Sequence, residues 1–362
     1  MRRTSSCRTQ ASPRPGHSTE APSDRSHPLI FTHKPVAGGS QTVLERRYLE
    51  LQEPISEDTV WLDLVRPTRE EEVKVESFLG ITVPTREEMK DIEPSELLYV
   101  EAGARYMTGR VLSRVSDSEE PGLAGITFIL RDNRLITVRY EEPQAFRMYT
   151  QRAGRATGNG PSRSVSGESI LAGLIEAVID RAADVLQLQG ERIDRLSRKI
   201  FEDKGDPSSR NNALQDTLRS LGRYGDLISK QRESLVSMER ILLSLSATYR
   251  TAKAPRELRE DVRSTLRDLQ SLEEHATFIS AKIQFLLDAT LGLVNLEQNN
   301  IIKLFSVMAV VFMPPTLIAS IYGMNFKTMP ELDWHFGYPA AVGMMVVAAV
   351  LPYVFFRWKK WL

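Results

Sequence analysis

Two long apolar stretches lie near the end of the chain. Phe305 to Tyr322 is apolar apart from hydroxyls, and Phe336 to Phe356 has no charged side chain. Each is close to the roughly 20 residues that an α-helix needs to cross about 30 Å of hydrocarbon. The segment between them, Gly323 to His335, is too short for a domain of its own, so the two spans must form a hairpin. Lys303 precedes the first span and Arg357, Lys359 and Lys360 follow the second, whereas the loop sets Lys327 against Glu331 and Asp333. An excess of Lys and Arg on the cytoplasmic side predicts a multi-pass protein of the plasma (inner) membrane. Both chain ends then lie in the cytoplasm and the loop faces outward.

The rest of the chain is long enough for a sizeable soluble part, with 362 residues, 41% hydrophobic and 26% charged. Its 47 basic and 47 acidic residues cancel, which gives no support to a nucleic-acid surface. The single Cys7 excludes an intramolecular disulfide and a Cys-rich zinc site. The five histidines, His17, His27, His33, His275 and His335, are scattered without metal-ligand spacing. No Gly-rich lysine loop supports ATP as a partner. No nucleophile, paired catalytic carboxylate or cofactor fingerprint emerges, so the chain does not read as an enzyme.

In chain order, residues 1–28 are rich in Ser, Pro, Thr and Arg and read as a disordered extension, with no apolar segment that would make a secretory signal. Residues 29–153 read as a cytoplasmic α/β domain. Thr59 to Val65 alternates like a strand, Pro67 to Leu79 opens as a helix does, and Gly125 to Leu130 and Arg134 to Tyr140 flank Asp132-Asn133 as a hairpin. A Gly/Ser linker at 154–167 leads into a helical region, 168–303, with helices over Glu168 to Lys204, Ser208 to Ala247 and from near Arg256 onward. The third carries a heptad: Val262, Leu269, Ala276 and Ile283 on one register, Leu272, Ile279, Leu286 and Leu293 on the other. It is predicted to continue into the first span, over about 60 residues or on the order of 90 Å. The fold class is therefore an α+β (α/β) cytoplasmic domain, long stalk helices and a C-terminal two-helix transmembrane hairpin (304–322 and 336–356, joined by 323–335) with a basic tail at 357–362.

One feature of the hairpin is not explained by insertion alone. Tyr322-Gly323-Met324-Asn325-Phe326 sits where the first span meets the outer surface, and Met329-Pro330-Glu331-Leu332 follows directly. Here the sequence resembles the CorA family of divalent-cation channels, whose signature is Gly-Met-Asn at the end of the first of two C-terminal spans. Phe-Met-Pro-Pro-Thr at 312–316, Phe-Gly-Tyr-Pro at 336–339, the Trp-containing tail, Trp61 to Leu64 and Ile126 to Glu142 are similar to that family too. The resemblance implies a homopentamer in the lipid bilayer, the first span lining the pore. It implies influx of Mg2+, with Co2+ or Ni2+ as further ions, driven by the electrochemical gradient and gated by intracellular Mg2+.

Site residues follow from helical spacing and from the resemblance together. Gly323, Met324 and Asn325 form the expected selectivity filter. A ring of Asn325 oxygens would accept hydrogen bonds from a hydrated ion without trapping it. Asn299, Ile302, Phe305, Met313, Thr316 and Ser320 lie near multiples of 3.6 residues and form the expected pore-lining stripe, with Ile302 and Phe305 as an apolar constriction. Such a stripe on a lone membrane helix also reads as packing surface. Glu331 and Asp333 would concentrate cations at the mouth, although Lys327 stands where relatives often carry an acid. Asp288, Asp268, Glu88 and Asp91 are the acidic candidates for a regulatory Mg2+, of which only Asp288 aligns with an acidic family position. The alternatives are the related zinc-transporter branch and a membrane-anchored sensor without transport.

Overall fold

The computed structural model describes residues 29–38, 41–89, 97–113, 121–155, 165–202, 207–252, 254–324 and 335–359. The chain divides into two compact units, Met1–Ile193 with Arg223–Ala281, and Asp194–Gly222 with Lys282–Leu362.

The first unit is built on a seven-stranded sheet. Its strands are β1 (Leu29–Gly38), β2 (Gln41–Tyr48), β3 (Trp61–Val65), β4 (Leu98–Glu101), β5 (Ala104–Ser113), β6 (Gly122–Arg131) and β7 (Arg134–Arg139), in the order β2-β1-β3-β7-β6-β5-β4. The β3–β7 pair is parallel, while β6 and β7 are antiparallel neighbours around Asp132-Asn133. Asp132 takes the left-handed backbone (φ 53°) that this tight turn demands. Helix α1 (Arg69–Leu79) starts at Thr68, not at Pro67, because Thr68 and Glu71 cap one another: each side chain bonds the other's backbone amide.

Alternation along β3 sends its residues to opposite faces of the sheet. Leu62 and Leu64 join Ile30, Ile129, Ile136 and Val138 in a core closed by Val75 and Leu79 of α1. Trp61 and Asp63 face the other way, toward α2 (Gln144–Ala153), where Trp61 meets Tyr149 edge-on at 5.9 Å between ring centres. That second face contains a buried ion pair. Arg139 donates from Nε to Asp63 Oδ1 (2.9 Å) and from Nη2 to Oδ2 (2.8 Å), and Thr137 Oγ1 donates to the same Oδ1 (2.8 Å). Trp61 Nε1 donates to Thr137 Oγ1 at 3.0 Å, closing a chain of bonds across the parallel β3–β7 pair. Burial alone would raise the Asp63 carboxyl, but the Arg139 guanidinium outweighs it and holds the carboxyl below its ordinary value.

Helix α3 (Gly167–Glu202) begins one residue earlier than its pattern predicts, inside the Gly-rich linker. The Gly167 amide donates to Asn133 O at 2.9 Å, and a Cβ at Gly167 would stand 2.5 Å from the Arg134 carbonyl carbon. Only glycine lets the helix start this close to the β6–β7 turn. Helices α4 (Pro207–Thr251) and α5 (Arg256–Tyr322) follow. On α5 the first heptad register is buried throughout: Val262, Leu269, Ala276 and Ile283 are each no more than 4% exposed. On the other register Ile279 and Leu286 are buried, and Leu272 and Leu293 are half-buried.

In the second unit, Lys282 on α5 pairs with Asp194 on α3, and Phe285 stacks on Phe201 at 6.3 Å. Helix α6 (Gly337–Trp358) completes it. Both α5 and α6 contain a segment long and apolar enough to cross a membrane. Pro314 and Pro315 lie inside α5, which runs on through them to Tyr322.

Two predictions follow from the buried polar face. Removing one partner of the ion pair strands the other charge in the core, so Arg139→Met should destabilise the fold by about 3–5 kcal/mol, read from chemical denaturation of the full-length protein. The second concerns His33, which stacks on Trp61 at 3.9 Å. Burial pushes its pKa from 6.5 down to about 3, reinforced by Arg46 of β2 and Arg139 of β7 and opposed by Asp63 of β3. The unfolded chain therefore binds a proton that the folded chain refuses. Stability from this residue is complete above pH 6.5 and is lost toward pH 3 at about 1.36 kcal/mol per pH unit. His33→Phe should flatten the acid limb of the stability-against-pH curve between pH 6.5 and 5, and an unchanged slope would refute the assignment.

Candidate ion pathway and regulatory sites

The apolar end of α5 positions the expected pathway residues. At about 100° per residue, Asn299, Ile302, Phe305, Met313, Thr316 and Ser320 share one sector of the helix about 120° wide. All six are exposed, the large apolar ones strongly so: Ile302 62%, Phe305 66% and Met313 68%. From 299 to 322, Val307 is the buried residue, and it lies about 140° round the helix from the middle of that stripe. Most of this segment is thus uncovered in the single chain, the polar-punctuated side included.

One neutral oxygen on the stripe, that of Thr316, is held in place by the helix itself. Thr316 Oγ1 donates to the Phe312 carbonyl at 2.7 Å, which satisfies its hydrogen and leaves its lone pairs as acceptors. Just before it, Pro314 and Pro315 bring no amide hydrogen, so the carbonyls of Val310 and Val311 lose their usual partners four residues on. Helix α5 is thereby weakened one turn before Thr316. The sequence pattern places helix-breakers there, and the structure carries the helix through them.

At the outer end, the Gly323 amide still bonds Ala319 O (2.9 Å), and Met324 N donates to Ile321 O at 3.3 Å, closing the last turn. A Cβ on Gly323 would sit 3.0 Å from Ala319 O, so a glycine suits this close return of the chain. Met324 is 47% exposed. Asn325, together with Glu331 and Asp333 of the loop and Asp91, lies outside the described residues.

The acidic candidates for a regulatory ion are dispersed within one chain. Asp288 is exposed on α5 and accepts from Gln284 Nε2 at 3.2 Å, one turn earlier on the same helix. Asp268 is likewise exposed on α5. Glu88 is differently engaged: its Oε2 accepts from Thr85 N (2.7 Å) and Thr85 Oγ1 (2.9 Å), so the carboxylate caps its own turn. Among the described residues, no three His, Cys, Asp or Glu side chains of the chain converge on a point. The buried Asp63–Arg139 pair and the buried Gln189 and Gln231 escaped the sequence reading. The only signal for Asp63 was a charge on the Trp61 side of an alternating strand, and for the glutamines a polar residue in an otherwise apolar helical stripe.

Comparison with known proteins identifies the family. The model of the family described as CorA-like Mg2+ transporter protein matches residues 56–360. The magnesium transport protein CorA of Salmonella typhimurium is 38% identical over 307 residues, covering 84% of this chain and 92% of the relative. Its counterpart of the same name in Escherichia coli K12 is 37% identical over 322 residues, covering 88% and 96%. The complete structure of the CorA magnesium transporter from Methanocaldococcus jannaschii superposes with a TM-score of 0.66 at 18% identity, over 92% of this chain and 99% of that one. That likeness shows the shared fold: an N-terminal α/β domain, long helices and two C-terminal apolar helices. With the family match over most of its length and relatives at this identity, the chain belongs to the CorA-like Mg2+ transporters, a family of ion transporters and not of enzymes.

Proposed function

We propose that this chain is one subunit of a homopentameric channel in the cell (inner) membrane that admits Mg2+ to the cytoplasm down its electrochemical gradient. The observation that carries the reading is the course of α5: one unbroken helix from Arg256 to Tyr322 that runs up to Gly-Met-Asn, its membrane segment largely exposed in the single chain, the polar-punctuated side included. Two spans cannot enclose a pathway, so several copies must surround an axis, with the stripe of α5 turned inward. Magnesium transport is what the curated relatives are named for. The chain ends lie in the cytoplasm because the Lys and Arg flanking the spans lie there.

In this reading a hydrated Mg2+ meets a ring of Asn325 carboxamides at the outer mouth. The ion keeps its water, because Mg2+ dehydrates reluctantly, and neutral oxygens hold it weakly enough to release it. Thr316 and Asn299 offer further neutral oxygens along the way. Phe305 and Ile302 form an apolar constriction that closes by dewetting when the helices draw together. Intracellular Mg2+ at Asp288, with Asp268, Glu88 and Asp91 as further acidic candidates, favours the closed arrangement. Co2+ and Ni2+, of similar charge and hydration, are further permeant ions.

Voltage-driven Mg2+ uptake into proteoliposomes, followed with an internal fluorescent indicator, tests the pathway. Wild-type protein should load Mg2+ at negative-inside voltage, and Asn325→Ala should fall to the level of empty liposomes while the oligomer persists on size exclusion. Zn2+ uptake in place of Mg2+ would move the chain to the zinc branch, and no flux of any ion would make it an anchored sensor. Asp288→Ala should leave uptake intact but shift inhibition by internal Mg2+ to higher concentration; an identical inhibition curve would remove Asp288 from regulation.

A further inference from the structure

A small cavity of about 30 Å³ lies in the first unit, and none of the acidic candidates above lines it. Its walls come from the end of β5 (Val111 to Ser113), the first turn of α2 (Gln144, Ala145), α3 (Val178, Arg181, Ala182, Val185) and α4 (Gln231, Ser234). Gln231 is 1% exposed, and its Oε1 is buried with no hydrogen-bond partner. Leaving such an acceptor dry costs about 1–3 kcal/mol, so buried amides are almost always paired, with protein or with ordered water.

The first turn of α2 also lines the cavity. Gln144 and Ala145 are the first residues of α2, whose amides have no intrahelical carbonyl to bond. Pro143, at the cap position, makes no side-chain capping bond to them. Ser113 is already committed, donating its Oγ to Glu141 at 2.5 Å. A space of this size accommodates about one or two water molecules. The wall chemistry selects among small occupants. A simple anion offers no hydrogen to Gln231 Oε1, and the lining has no carboxylate to hold a metal cation. Water, which fits a space of this size, both donates to a carboxamide oxygen and accepts from an amide.

We propose that this cavity holds a structural water that donates to Gln231 Oε1 and accepts from the first amides of α2. It thereby ties α4 to α2. A map of the full-length protein that resolves ordered water should show a peak within hydrogen-bond distance of Gln231 Oε1, the same with Mg2+ and with EDTA. An empty cavity would overturn the proposal, as would a peak that disappears with the chelator. A double-mutant cycle gives an independent reading. Ala182→Val should expel the water and lower the unfolding midpoint by orphaning Gln231. Adding Gln231→Met should then recover most of that loss, because no unpaired acceptor remains. Losses that simply add would overturn the proposal.

Discussion

Hydrocarbon offers no hydrogen bonds, and that single fact shapes the C-terminal third of this chain. Every backbone amide and carbonyl within the bilayer must be satisfied by the segment itself or by a neighbour, which makes both apolar stretches helices. A helix once nucleated extends cheaply. In α5 nothing interrupts it between Arg256 and the membrane, so the heptad-bearing stalk and the first span are one element. The same rule makes Pro314-Pro315 notable. Two carbonyls there are left without their helical donors within an apolar segment, so this is where α5 yields most easily.

The soluble sheet obeys the same accounting with different means. Asp63 and Arg139, each 2% exposed, lie in the core, where a lone charge would be prohibitive. The pair is tolerated because the geometry is bidentate and Thr137, backed by Trp61, supplies another donor. Such a network favours one register of the parallel β3–β7 pair, since a one-residue slip would send Asp63 into the Leu62–Leu64 face. In that unit's helical packing the buried Gln189, Gln231 and Tyr249 side chains each keep an oxygen without a protein partner, and the water proposed beside Gln231 would satisfy one of them.

Much of the architecture was legible in residue order. The strand at Thr59 to Val65, the hairpin around Asp132-Asn133 and the three long helices all announce themselves through period and punctuation, and the structure places each within a few residues. The heptad positions Val262, Leu269, Ala276 and Ile283 are buried as their spacing implies. Boundaries were less legible. Thr68 starts α1 because its side chain caps the helix, and Gly167 starts α3 because a β6–β7 carbonyl stands where a side chain would go.

What the chain determined by itself is local or one-dimensional: apolar length, helical and strand period, the Gly-Met-Asn run between two spans, and the set of α5 residues that share one side. Those features depend on spacing along a single element, and spacing is written in the sequence. Only the tertiary structure decided that Arg139, 76 residues away, answers Asp63. It also decided that Glu88 is spent capping its own turn, and that Gln231 faces a cavity and not a partner. Each is a meeting of groups distant in sequence or a choice among several available bonds. Such choices are made by the packing of the whole domain, where burial raises the cost of every wrong pairing.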